Sequence, residues 1–291
     1  LIVMGDAWIL KLIAAPLLGA GFGGLSMSFN TLFVTYFSQK NAGLLNVLNA
    51  TYGLGAVAAP WLLSQGLLSG GQLFAFIAVL SLVVMLGAWN IDDRVPNTAI
   101  VQDGNAELLR IYPLLVTAFL MLFLEAGLTY WLPSLLSTSS SGEGIAAAYM
   151  SQFFFWFVIV RLSAAALATW VTTLGFALCG LVGISLSLGA VLVGAVALAD
   201  TSFTGAFMGL IFPNAYAWML KTGGGGTSTG ARVLLSAIAG ATVGPWVLGW
   251  ILPIGGQASV LWVLGLVSTL AATVMVITEL NARKYRSMRS Q

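Results

Sequence analysis

The sequence predicts an all-α integral membrane protein, built as a helical bundle. Three observations carry that prediction. Charged residues make up 7% of the 291-residue chain and hydrophobic residues 59%; the mean hydropathy is +0.99. An ordinary soluble domain carries roughly a quarter charged residues. The apolar residues fall in runs of the ~20 residues that one bilayer crossing needs. And the segment Gly55-Ala-Val-Ala-Ala-Pro-Trp-Leu-Leu-Ser64 returns 185 residues later as Gly240-Ala-Thr-Val-Gly-Pro-Trp-Val-Leu-Gly249, with five of ten positions identical.

Charges and Gly/Pro breaks divide the chain into spans. Residues 12–37 carry no charge and form the first. Residues 41–91 are also uncharged and hold two, turning in the polar, Gly-rich stretch 64–72. Residues 92–110 gather Asp92, Asp93, Arg94, Asp103, Glu107 and Arg110, with Pro96, into a hydrophilic linker. Residues 111–136 form a fourth span, broken only by Glu125. After the Ser137–Gly144 turn, residues 145–199 carry one charge, Arg161, and hold two spans that meet near Thr169–Thr173. A span at about 202–220, the Gly223–Gly226 loop and residues 233–278, which turn at Pro253-Ile-Gly-Gly256, complete a count of about nine.

The basic residues test this count. Alternating the loops puts ten of the eleven Lys and Arg residues on one side, and only Lys11 dissents. By the positive-inside rule the 92–110 linker and the 281–291 tail are cytoplasmic. The repeat sets the halves. Pro245 lies about 137 residues past Leu108, whereas Pro60 has 59 residues before it. Equal halves would then need roughly 80 further N-terminal residues, room for three more helices. The expected organisation is 1–91 as the remnant of an N-terminal half (the end of helix 3 and helices 4–6), 92–110 as linker, 111–280 as a six-helix C-terminal half and 281–291 as tail: nine transmembrane helices of an expected twelve.

Candidate functional residues are the polar groups inside apolar spans. A carboxylate in mid-helix costs a few kcal/mol to insert and usually faces a cavity or a partner. Glu125 is therefore a candidate proton acceptor and donor, against the plainer reading of a hydrogen-bonded brace between helices. Arg161 reads either as a gate paired with a carboxylate or, slightly favoured, as an arginine snorkelling to the interface. Asn30, Asn49, Gln152 and Asn214 can bond solute hydroxyls or tie helices together. Trp131, Tyr130 and Trp156 can stack on a solute or belt the interface. Glycines 21, 23, 24, 53, 55, 240 and 244 read as sites of close helix packing. Cys179 reads as a buried thiol. The sequon at Asn49-Ala-Thr51 lies too close to the cytoplasmic face to be used.

With no histidine in the chain, the usual imidazole ligands and His-based triads are excluded. No cofactor, metal or nucleic acid is implied, and the chain does not read as an enzyme. A duplicated half in a membrane chain points to a secondary transporter whose repeats rock around a central site.

Several motifs together resemble the major facilitator superfamily, and within it the fucose-permease-type sugar:proton symporters. Gly21-Phe-Gly-Gly-Leu-Ser-Met-Ser-Phe-Asn30 resembles that family's fourth helix. Leu45–Ala56 followed by Pro60 resembles the fifth. Phe123-Leu-Glu125 with Trp131-Leu132 resembles the seventh, and Gly205–Asn214 the tenth. The bacterial permeases carry a fourth-helix carboxylate where Ser26 stands here. The resemblance implies a twelve-helix bundle in two sixes and a monomer in the lipid bilayer of the plasma membrane or an organelle. It implies alternating-access transport of a small polar solute, with sugar as substrate and a proton as the symported ion. The alternative is a non-transporting membrane sensor or an inactive, truncated transporter.

Overall fold

The structure, a computed structural model, describes residues 8–36, 41–89, 108–139, 143–224 and 227–289. These form α1 (Trp8–Tyr36), α2 (Asn41–Ser64), α3 (Gly70–Ala88), α4 (Leu108–Ser139), α5 (Glu143–Leu167), α6 (Thr173–Leu192), a 3-10 turn (Leu198–Phe203), α7 (Thr204–Thr222) and α8 (Thr227–Arg289). The expected linker lies outside the described residues, apart from positions 108–110 at the start of α4.

Local chemistry explains the boundaries. Gly66 turns the chain after α2 with a φ of 65°, a conformation that costs glycine nothing. Ser69 then starts α3 with a capping box: its hydroxyl accepts from the Gln72 amide and its own N–H donates to the Gln72 side chain. Thr172 caps α6 by accepting from the Gly175 amide at 3.1 Å. That places the α5–α6 junction within the expected Thr169–Thr173 stretch.

Helix α8 is two limbs. Gly256 sits inside it at φ 67°, ψ −166°, where the helical hydrogen bonding cannot continue. Leu248 and Leu264 both crowd the α-carbon of Gly127. Sixteen residues of straight helix would hold them about 24 Å apart, so the chain folds back at Gly256, as the Pro253–Gly256 motif predicts. Counting both limbs, the described residues contain nine helical rods, the number expected of the spans. Among the described residues, six stretches are long and apolar enough to cross a membrane, the two limbs of α8 together forming one of them. Helices α2 and α7, which carry Asn41, Asn46, Asn49, Asn214 and Lys221, are more polar.

Two parallel packings build most of the core. The first limb of α8 lies along α4 in steps of one helical turn. Ser236 donates to the Leu115 carbonyl at 2.8 Å; Gly240 and Gly244 press on the Phe119 and Phe123 carbonyls; Leu248 meets Gly127. Helix α7 repeats the device on α5, with Gly205 and Gly209 pressed on the Phe153 and Phe157 carbonyls. A side chain at Gly240, Gly244, Gly205 or Gly209 would collide with backbone, so the helices approach only because none is there. Phe153, Phe157, Leu124, Leu128 and Met208 fill the space between.

Four expected packing sites have no neighbour among the described residues. Gly21, Gly23, Gly24 and Gly55 have no atom within 4 Å of where a β-carbon would sit. They lie on α1 and the outer face of α2, whose surfaces are largely exposed. Among the described residues, Gly55 therefore lacks the close neighbour that its repeat counterpart Gly240 has. Cys179 is another correction: it is exposed, not buried, because it lies on the outward side of α6 while its neighbours Ala177, Gly180 and Leu181 face the core.

Candidate functional site

Helix α2 runs antiparallel to α5, and the seam between them is where polar side chains collect. Its inner face is a single stripe of residues 46, 49, 53 and 57, spaced by three or four as one helix face requires. Asn46 donates to the Asn214 side chain on α7 at 3.2 Å. The Asn49 carbonyl accepts from Arg161 Nη1 at 3.0 Å. Gly53 lies against Val158 and Phe157. The Val57 carbonyl accepts from Ser151 at 3.2 Å.

Arg161 holds the middle of this seam. Its side chain is 2% exposed, which overturns the snorkelling reading: it reaches neither interface. The guanidinium lies over the Phe157 ring, 3.8 Å from the centroid, a favourable cation–π position. Nε donates to the Gly209 carbonyl on α7 at 3.1 Å. Within a helix that carbonyl would bond the N–H four residues on, but position 213 is proline and has none. Arg161 thus supplies the donor that Pro213 lacks, and through Asn49 it ties in α2 as well.

Glu125 on α4 is half-buried and interacts electrostatically with Arg161 and with Tyr52 of α2. Asn214 is fully buried and donates to the Leu210 carbonyl at 2.8 Å. So Arg161, the Asn49 carbonyl and Asn214, far apart in sequence, come together around α2, α5 and α7, and Glu125 acts on Arg161 from α4.

The other candidates lie elsewhere. Gln152 accepts from Ser202 of the 3-10 turn at 3.2 Å, beside the Tyr149–Thr201 hydroxyl pair. Trp131 donates from its indole N–H to the Pro245 carbonyl at 2.9 Å. With Tyr130, Pro245, Trp246 and Trp250 it lines an open groove of about 830 Å³ that Glu125 does not reach. Trp156 is exposed. Asn30 belongs to α1, but its side chain lies outside the described residues. Sequence reasoning passed over Asn46 and Tyr52 as site residues; the stripe at 46, 49, 53 and 57 was the available signal.

The comparison that decides the architecture is structural. The chain superposes on the major facilitator superfamily transporter FucP in its outward conformation, with a TM-score of 0.70. The match covers 95% of this chain and 76% of that one, at 18% sequence identity. This chain has the major facilitator fold. No protein-family profile matches it, and no curated protein matches it in sequence. In this fold the chain is a multi-pass membrane protein, as its apolar helices require.

Proposed function

We propose that this protein is a secondary transporter that moves a small polar solute across a membrane by alternating access, with Glu125 as the proton-coupling group. The observation that carries the reading is the polar group buried between helices of a major facilitator fold, Arg161 and the Asn46–Asn214 pair, with the half-buried Glu125 acting on Arg161 electrostatically. Charges and amides are costly inside an apolar bundle, and membrane proteins keep them mainly on solute or ion pathways. The amide pair offers donors and acceptors of the kind hydroxylated solutes use, and a sugar is the first solute class to test.

In this reading residues 1–91 and 111–280 belong to two halves that rock against each other across the α2–α5 seam, with Arg161 as a gate. The 92–110 linker and the tail are cytoplasmic, as the basic residues argue, and the chain works as a monomer. The test is uptake by the complete protein in proteoliposomes, across a panel of sugars, polyols and amino acids, with and without a pH gradient. Gradient-dependent accumulation of one class supports the proposal. No uptake or exchange of any solute would favour a sensor or an inactive transporter.

A further inference from the structure

We propose that the ends of α7 and α8 form a binding site for the phosphate headgroup of an anionic lipid, with Lys221 and Arg283 as the residues that hold it. The site lies apart from the α2–α5 seam, and it stands or falls without the transport reading.

Charge marks this end of the bundle. Between residues 201 and 291 the sequence has six basic residues, Lys221, Arg232, Arg283, Lys284, Arg286 and Arg289, and one acid, Glu279. The fold gathers them. Helix α7 ends at Thr222 and α8 starts at Thr227; after the reversal at Gly256 its second limb returns to the same end. Arg232 and Leu280 each lie 24 residues from that reversal, so they reach about the same level. Lys221, Arg232, Arg283 and Lys284 are all exposed.

The acid is already engaged. Glu279 accepts from Trp218 Nε1 of α7 at 3.0 Å through Oε2 and from Arg283 Nε at 2.8 Å through Oε1. Trp218 is 4% exposed and the Glu279 side chain 13%, so the bridge is a buried fixture that ties the second limb of α8 to α7. From it both helices run on in the same direction. Lys221 is three residues past Trp218 and Arg283 four past Glu279, rises of about 4.5 Å and about 6 Å. The two cations therefore stand at about the same level on neighbouring helices. The Arg283 side chain is 68% exposed. Glu279 holds it at Nε while most of it faces outward, and a guanidinium fork can take a phosphate in addition.

Depth selects the source of that phosphate. The apolar stretch of α8 ends at Lys284 and α7 stops at Thr222. The cations thus lie where the helices leave the hydrocarbon, at the level of lipid headgroups, where basic side chains attract anionic lipid. The partial negative charge at the α7 C-terminus opposes an anion, and six basic residues against one acid outweigh it.

The test is lipid retention by the complete protein in a non-ionic detergent. Native mass spectrometry counts phosphatidylglycerol or phosphatidylcholine bound at matched concentrations. The parent should bind the first phosphatidylglycerol about tenfold more tightly than phosphatidylcholine. One basic residue near a membrane surface contributes a factor of about five in affinity for anionic lipid. Lys221→Gln and Arg283→Gln should therefore each weaken phosphatidylglycerol binding about fivefold, and the double variant should lose the preference, with phosphatidylcholine binding unchanged. Both side chains are exposed, so neither change disturbs the core. Lys11→Gln removes the same charge from α1 and should leave the preference as in the parent. Millimolar inorganic phosphate, against chloride of equal ionic strength, should not displace the lipid. Equal retention of the two lipids by the parent, an unchanged preference in either Gln variant, or a loss in Lys11→Gln as large as theirs would overturn the proposal. Displacement by inorganic phosphate would overturn the lipid assignment, leaving a site for a free anion.

Discussion

Arg161 of α5 donates to the carbonyl of Gly209 on α7, the acceptor that Pro213 leaves without its helical donor. Proline inside a membrane helix is tolerated when a neighbour re-satisfies the freed carbonyl, and here the neighbour is a buried cation. The proline and the charged residue are therefore one unit, although 52 positions separate Arg161 from Pro213.

That unit predicts non-additivity. Arg161→Leu should destabilise the protein by about 1–3 kcal/mol for each carbonyl left without its donor. Pro213→Ala restores a backbone N–H for the Gly209 carbonyl. In the double variant the loss of Arg161 should therefore cost about 1 kcal/mol less than in the parent. Thermal unfolding in detergent measures all four corners of the cycle. Additive effects would mean that Arg161 does not stand in for the missing N–H.

The two copies of the repeat predict opposite responses to one substitution. Gly240 abuts the Phe119 carbonyl, whereas Gly55 has open space around it. Gly240→Ala should cost about 1–3 kcal/mol through forced helix separation. In the 291-residue chain, Gly55→Ala should stabilise by about 0.5–1 kcal/mol, because alanine loses less backbone entropy in a helix. Melting temperatures that move the same way would show that the two glycines share one environment.

Sidedness gives a third prediction. Six helical rods separate position 103 from position 287: α4 to α7 and both limbs of α8. With the exposed Cys179 replaced by alanine, single cysteines at 103 and 287 should react with an impermeant maleimide from the same side. Labelling from opposite sides would remove one crossing and with it the cytoplasmic assignment of linker and tail.

What the sequence made legible was what depends on neighbours along the chain. The Gly66 turn and the reversal at Gly256 were each announced by turn chemistry within a few residues, whereas the junction at Thr172 was only weakly marked, with no Gly or Pro beside it. What stayed hidden depends on which helix faces which. Arg161 read as an interfacial arginine because neither the ring of Phe157 nor the carbonyls of Gly209 and Asn49 leave a signal near position 161. Gly21 and Gly55 read as packing sites because glycine looks the same in sequence whether or not a helix abuts it. Cys179 misled for a related reason: α6 is apolar on all sides, so hydrophobicity could not distinguish its core face from its outer one.

The coupling role of Glu125 gives the last prediction. Glutamine at this position keeps the size and hydrogen-bonding reach of the protonated acid but has no proton to release. If proton release completes the transport cycle, Glu125→Gln should abolish accumulation driven by a pH gradient. It should preserve exchange of external for internal solute, which needs only binding and rocking in the neutral form. The two assays on one proteoliposome preparation separate this from simple damage, since a misfolded protein loses both. Net uptake that still follows the pH gradient in the Gln variant would move coupling to another residue. Glu125 would then be a brace that orients Arg161, its nearest opposite charge, within the seam.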